Sequence, residues 1–406
     1  METKLLVLLY LIFHGLRIVD GVRPTGPGNF NVMSFGARGD GLRDDSKAFQ
    51  ETWKAACNST GSVKLVIPKG TYFLSPVKFR GPCANVQSIT VQLQGTLKAT
   101  TDLSKYRSGG YWVEFGFVDH LTVTGGGTLD GQGSLAWPHN KCPVKKDCKL
   151  LPTSLAFLAT NHSKMKDITS VNSKFFHIAL LSNANFKASG IKIVAPAESP
   201  NTDGIHLERN TAVTISNSKI GTGDDCISVG QGNHDITIAG IKCGPGHGIS
   251  VGSLGKYEDE EDVTGLVVKD CTLTGTDNGV RIKTWENSPK STKASNLTFE
   301  NIEMDNVRNP IIIDQTYCPF AKCQSAAPSR VKISDITFKN IRGTSTSPVA
   351  VTLKCSKGIP CENVSLQDVR LEHNGPNGTT ATCVNVKAEY SGMQNPPPCK
   401  GPDSEN

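Results

Sequence analysis

Between Phe176 and Ile313 one five-residue pattern returns six times with its polar places altered. The copies are Phe176-His177-Ile178-Ala179-Leu180, Asp203-Gly204-Ile205-His206-Leu207, Asp225-Cys226-Ile227-Ser228-Val229, His247-Gly248-Ile249-Ser250-Val251, Asn278-Gly279-Val280-Arg281-Ile282 and Asn309-Pro310-Ile311-Ile312-Ile313. Their third and fifth places are apolar, the period of a strand that buries one face. Successive copies begin 27, 22, 22, 31 and 31 residues apart, a spacing suited to one turn of a β-solenoid. A second repeat interlocks with the first: Phe186/Ala188, Val213/Ile215, Ile236/Ile238, Leu266/Val268, Leu297/Phe299, Ile336/Phe338 and Val364/Leu366. Three residues further on stand Ile191, Ser218, Ile241, Cys271, Ile302, Ile341 and Val369. Each coil therefore supplies at least two short strands divided by Asn, Asp, Ser and Gly corners. No single coil can bury its apolar face alone. The expected fold is all-β, a single-stranded right-handed parallel β-helix. An antiparallel sandwich with turns every ~8–12 residues leaves two repeats held in phase unexplained.

The chain of 406 residues reads as one domain with short ends of different character. A charged start and an apolar run from Leu5 to Phe13 resemble a cleaved secretory signal over residues 1–21. The run is too short for a membrane span, which needs about 20 residues, and nothing later resembles one. Residues 22–406 form the expected domain. Asp44–Cys57 is the clearest helix, with Asp44 or Asp45 as N-cap and Ala48, Trp53 and Cys57 turned to one end of the core. Pro396–Pro398 and the acidic tail read as unstructured. Thirteen cysteines fit an oxidising compartment. Cys142/Cys148, Cys318/Cys323, Cys355/Cys361 and Cys383/Cys399 are spaced to close local loops, and Cys226/Cys243 to staple adjacent coils. No set has zinc spacing. The odd thiol is assigned to Cys271, in an apolar slot of the second repeat. Asn58, Asn161, Asn296, Asn363 and Asn377 begin glycosylation sequons. A net charge of +6 suits a polyanion such as an acidic polysaccharide, but no basic run with interleaved aromatics points to nucleic acid.

The polar places carry chemistry. If the copies are stacked rungs about 4.8 Å apart, Asp203, Asp225 and His247 form a ladder with Asp224 beside it. Crowded carboxylates resist joint ionisation, so one acid keeps a proton. An acid facing carboxylates is the apparatus of glycosidic cleavage. His247 is placed to tune the acid. Arg281 and Lys283, two apart on a strand, share a face and form a cationic shelf for a substrate carboxylate. Taken singly, an aspartate at a solenoid corner caps a turn, and the histidine or the cations are ordinary surface residues. Their joint occurrence on adjacent rungs decides for a site.

Asn201-Thr202-Asp203, Gly223-Asp224-Asp225, Gly246-His247-Gly248 and Arg281-Ile282-Lys283 resemble, in order, the four signature motifs of the polygalacturonases, glycoside hydrolase family 28. Phe30-Asn31-Val32 through Gly39-Asp40-Gly41 is similar to the entry segment of the family's plant members, and no motif residue departs from the pattern. The resemblance implies a pectin-lyase-like solenoid with an N-terminal capping helix and inverting hydrolysis of α-1,4-linked galacturonate in pectin. It assigns Asp224 as general acid, Asp203 and Asp225 as activators of the water, and His247 as support for the acid. Arg281, Lys283, Asn201 and Tyr317 become substrate contacts, and no metal or cofactor is implied. The phrases Gly248-Ile249-Ser250-Val251-Gly252-Ser253-Leu254-Gly255 and Gln94-Gly95-Thr96-Leu97-Lys98 resemble the pollen-type plant exopolygalacturonases. The expectation is a secreted, monomeric cell-wall enzyme. An endo-acting hydrolase, a calcium-dependent pectate lyase and a non-catalytic wall-binding solenoid are the alternatives.

Overall fold

The computed structural model describes residues 28–142, 148–320, 323, 327–376 and 378–399. The expected signal segment, the acidic tail beyond Cys399 and the sequon at Asn377 lie outside them. Strands wind in parallel coils with two hydrogen-bonded sheets, one of 21 strands and one of 11. This is the right-handed parallel β-helix read from the repeats. The larger sheet supplies two faces. Thr211–Ser216 and Lys219–Gly221 belong to separate ladders that pair with His234–Ala239 and Lys242–Cys243. Both of those then pair with one long strand, Val263–Thr274. The third face is the 11-stranded sheet, built from the first repeat.

Register follows the repeat residue by residue. Ile205 lies against Ile227, Ile227 against Ile249, Ile249 against Val280 and Val280 against Ile311. All five are buried. A shift of one residue would turn every one of them to solvent, so burial itself pins the alignment. The second repeat behaves alike: Cys271 is in register with Ile302, and Phe299 stacks on Phe338 at 5.2 Å. Cys271 is the buried free thiol.

One end of this core is closed by the helix Ser46–Cys57. Its Phe49 meets Tyr72 edge-on and its Trp53 packs on Phe79 and Phe115. The helix begins two residues later than expected, because Asp44 ends the strand Asp40–Asp44. Asp45 stands at the N-cap without capping the helix. Its carboxylate instead accepts the Arg38 and Gly39 amides, while Asp44 accepts from Ser46. Cys57 is also more than an apolar helix residue, since it is bonded to Cys83, a pairing too distant in sequence to stand out. The five expected disulfides are all present. Pro396–Pro398 are consequently tethered: Cys399 is bonded to Cys383 and its amide donates to the Tyr390 hydroxyl.

At one corner, buried asparagines stack as a ladder. Asn183 Nδ2 donates to Asn210 Oδ1 at 3.1 Å and Asn210 Nδ2 to Asn233 Oδ1 at 3.0 Å. Each amide also donates to a carbonyl: Phe157 for Asn183, Leu180 for Asn210 and Leu207 for Asn233. These side chains satisfy corner peptide groups that cannot join a strand ladder. Asn210→Ala should lower stability by about 3 kcal/mol in a denaturant melt, because several buried partners lose their bonds together at about 1–3 kcal/mol each. A loss below about 1 kcal/mol would show the ladder to be incidental.

Candidate active site

The site forms where the leading places of the first repeat reach the edge of the 11-stranded sheet. Asp203 and Asp225 each stand two residues before an aligned isoleucine, Ile205 and Ile227. Their backbones are joined by the Gly204 amide donating to the Asp225 carbonyl at 2.9 Å. On the next coil the Cys226 amide donates one place further along, to the Gly248 carbonyl at 2.8 Å. Gly248 is required there: its φ is +80°, and an added Cβ would lie 2.1 Å from the Asn278 carbonyl oxygen. Cys226 is also bonded to Cys243, which fastens the rung directly behind Asp225. Asp203, Asp225 and His247 thus stack on consecutive coils, and Asp224 sits beside them.

The three carboxyls meet different surroundings. Asp225 is 2% exposed and fully engaged. Lys283 Nζ lies 2.8 Å from one oxygen, while the other accepts from Ser250 at 2.6 Å and Arg281 at 3.2 Å. Burial alone would raise its pKa, but the Lys283 and Arg281 charges prevail and hold it below the usual carboxylate range. Asp203 has no such cation against it. Burial, then the charges of Asp224 and Asp225, push its pKa well above the ordinary value. The proton that crowding retains in the site is therefore favoured on Asp203. Asp224 is the most open of the three, with an 18% exposed side chain.

Asp224 Oδ1 accepts the Asp225 amide at 2.8 Å and faces His247 Nδ1 at 3.1 Å. On the opposite side of the imidazole, Nε2 lies 3.5 Å from Asp277 Oδ2. Two carboxylates facing both ring nitrogens call for two N–H donors, which only the imidazolium provides. The His247 pKa is accordingly raised, chiefly by the bond to Asp224 and against the effect of burial. Asp277 was not singled out in the sequence, although a signal existed: it precedes Asn278 as Asp224 precedes Asp225. Ser228 and Ser250 were missed too. Both occupy the fourth place of their copies, opposite the apolar face; Ser228 pairs with His206 Nδ1 at 2.8 Å and Ser250 bonds Asp225.

The two cations expected to form a shelf are not free. Arg281 and Lys283 share a face, and both are committed to Asp225. Tyr317 lies beneath them, its ring 6.0 Å from the Arg281 guanidinium and 5.4 Å from Lys283 Nζ. Asn201 Nδ2 is 3.3 Å from Asp224 Oδ2. Asp203, Asp224, Asp225, Asn201, Lys283 and Tyr317 all line one cleft of about 600 Å³. Phe175, Phe176 and His206 add an aromatic wall, Phe176 stacking on both neighbours at 4.1 and 4.7 Å. Arg281 and His247 are not part of that lining, and the His247 side chain is 36% exposed. Asp224, Asp225 and His247 bring donor atoms within 4.8 Å of one another, yet they suit a cation poorly. Lys283 and Arg281 already neutralise Asp225, and the imidazolium adds a third positive charge.

A cluster of aspartates is equipment that glycosidic cleavage uses. The profile of the glycosyl hydrolases family 28 matches residues 57–392. The chain belongs to glycosyl hydrolase family 28. Relatives include an exopolygalacturonase of Platanus acerifolia, 49% identical across 93% of this chain and 98% of its own. One of Zea mays is 45% identical across 97% and 96%, and a polygalacturonase of Gossypium hirsutum is 47% identical across 91% and 90%. Among solved structures, the Erwinia carotovora ssp. carotovora polygalacturonase superposes with a TM-score of 0.74 at 22% identity, covering 92% of this chain and 99% of that one. The Thermotoga maritima exopolygalacturonase gives 0.73 at 19%, covering 91% and 94%. At such identities these two structures establish the solenoid fold. Within this family 28 site the imidazolium can be tested directly. In an NMR titration, His247 should ionise above about 6.5, the ordinary histidine value, and fall towards or below it in Asp224→Asn. A wild-type value under that of an exposed histidine would overturn the arrangement.

Proposed function

We propose that this protein is a secreted, exo-acting polygalacturonase that hydrolyses α-1,4-galacturonosyl linkages of polygalacturonate from the non-reducing end and releases galacturonate. The observation that carries this reading is Asp224, open to the cleft, with Asp203 and Asp225 on adjoining rungs and two cations at hand. Asp224 is the general acid: its proton passes to the glycosidic oxygen as the bond from C1 to that oxygen breaks. A water attacks C1 from the opposite face while Asp203 and Asp225 take its proton between them, which inverts the anomeric centre. Inverting glycosidases in general hold acid and base carboxyls roughly 6.5–9.5 Å apart; Asp224 and Asp225, with oxygens within 4.8 Å of one another, are closer than that.

Protons in so tight a cluster belong to the group rather than to single residues. The preference of the resting site for a proton on Asp203 is therefore a distribution that substrate must shift towards Asp224. Asp225, kept ionised by Lys283 and Arg281, is the carboxylate best prepared to receive the water's proton. A uronate carboxylate entering beside Lys283 and over Tyr317 would share cations with Asp225. His247 steadies Asp224 from behind, and Asn201 from the cleft side.

Exo action rests on the names of the plant relatives, and secretion to the cell wall is supported by six disulfides. The chain should act as a monomer without a metal. Asp224→Asn should abolish release of reducing ends from polygalacturonate, by about 10²-fold or more, with an unchanged melting curve; near-normal turnover would remove its role. Product analysis on oligogalacturonates should show monomer from the first time point, whereas a ladder of oligomers would mean endo action. Products absorbing in the ultraviolet and lost with chelator would point to a lyase instead.

A further inference from the structure

The side chain that sets Asp224 is itself set from a distant loop. Asn201 offers Asp224 either an amide N–H or a carbonyl oxygen, and only the first suits a carboxylate. Its own Oδ1 accepts from Asn140 Nδ2 at 3.0 Å, which turns its Nδ2 towards Asp224 Oδ2 at 3.3 Å. Asn140 is fixed in turn, because its Oδ1 accepts the Cys142 backbone amide at 3.1 Å. A backbone N–H can only donate. One unambiguous donor therefore settles the direction of both side-chain amides, and Cys142 is held by the disulfide to Cys148.

The two oxygens of Asp224 differ accordingly. Oδ1 accepts the Asp225 amide at 2.8 Å and faces His247 at 3.1 Å. Oδ2 has the longer contact to Asn201 alone among the described residues. Oδ2 is then the oxygen with room for a transferable proton, and Asn201 is what aims it. Asn140 lies 61 residues from Asn201, outside all four motifs.

We infer that Asn140 is a positioning residue: it orients the Asn201 amide so that Asp224 Oδ2 presents its proton to the glycosidic oxygen. This rests on the proposed role of Asp224 as the acid. Asn140→Asp keeps the acceptor for Cys142 but replaces the donor to Asn201 with a second acceptor. That leaves Asn201 free to reverse and meet Asp224 with its oxygen.

The test is a cycle of Asn140→Asp, Asn140→Ala, Asn201→Ala and both double variants, assayed on a galacturonate trimer across pH. Each single variant should lower kcat on the order of ten- to a hundredfold, the scale of a small misplacement. KM should change little in the Asn140 variants, melting should be unchanged, and the pH profile of kcat should shift. In the Asn201→Ala background, either Asn140 change should add almost nothing. Asn140→Ala with wild-type kcat and pH profile would overturn the relay, and so would an equal loss with or without Asn201. Asp224→Asn is run alongside: if it keeps turnover, the acid assignment fails, whereas its inactivity with an additive cycle rejects the relay alone.

Discussion

Everything at the site depends on in-register stacking of parallel strands. Each coil repeats the one before it, so a residue two places ahead of a buried isoleucine always emerges at the same edge. Ile205, Ile227 and Ile249 are held by the core, and Asp203, Asp225 and His247 follow without further instruction. The fold spends its apolar positions on alignment and leaves the intervening ones to vary. A row of titratable groups can then be assembled from single substitutions along an otherwise uniform repeat.

The same stacking forces charges into close company, and the protein resolves this unevenly. Asp225 has two cations and a hydroxyl and stays ionised. Asp203 has burial and two like-charged neighbours, and its proton is held more tightly. Asp224 is the most open of the three and faces an imidazolium whose other nitrogen meets Asp277 on the next coil. Three chemically identical side chains are separated into roles by environment alone. Rows of one residue type elsewhere do the opposite: the Asn183, Asn210 and Asn233 amides satisfy one another and contribute rigidity instead of reactivity.

Those two kinds of ladder look alike in one dimension. Asn183 and Asn210 stand at no place that the two repeats mark, and their burial became evident only with the chain folded. Asp277 could have been found from its place before Asn278, which matches that of Asp224 before Asp225, whereas nothing in the identity of Ser228 and Ser250 separated them from ordinary polar residues. Conversely, the Arg281 and Lys283 shelf was legible as two cations on one face. That Asp225 occupies both could not be read, because it depends on side chains from rungs 56 and 58 residues away in sequence.

What the sequence determined by itself was the solenoid, its phase, five of the disulfides and the polar row. All of these derive from short periodic patterns whose physical meaning is local: alternate burial along a strand, and neighbours one coil apart. The tertiary structure decided how burial and cations divide the three carboxyls, and how Asn140 reaches Asn201. Those matters turn on burial and on contacts between segments whose separation follows no period, and no pattern along the chain encodes them.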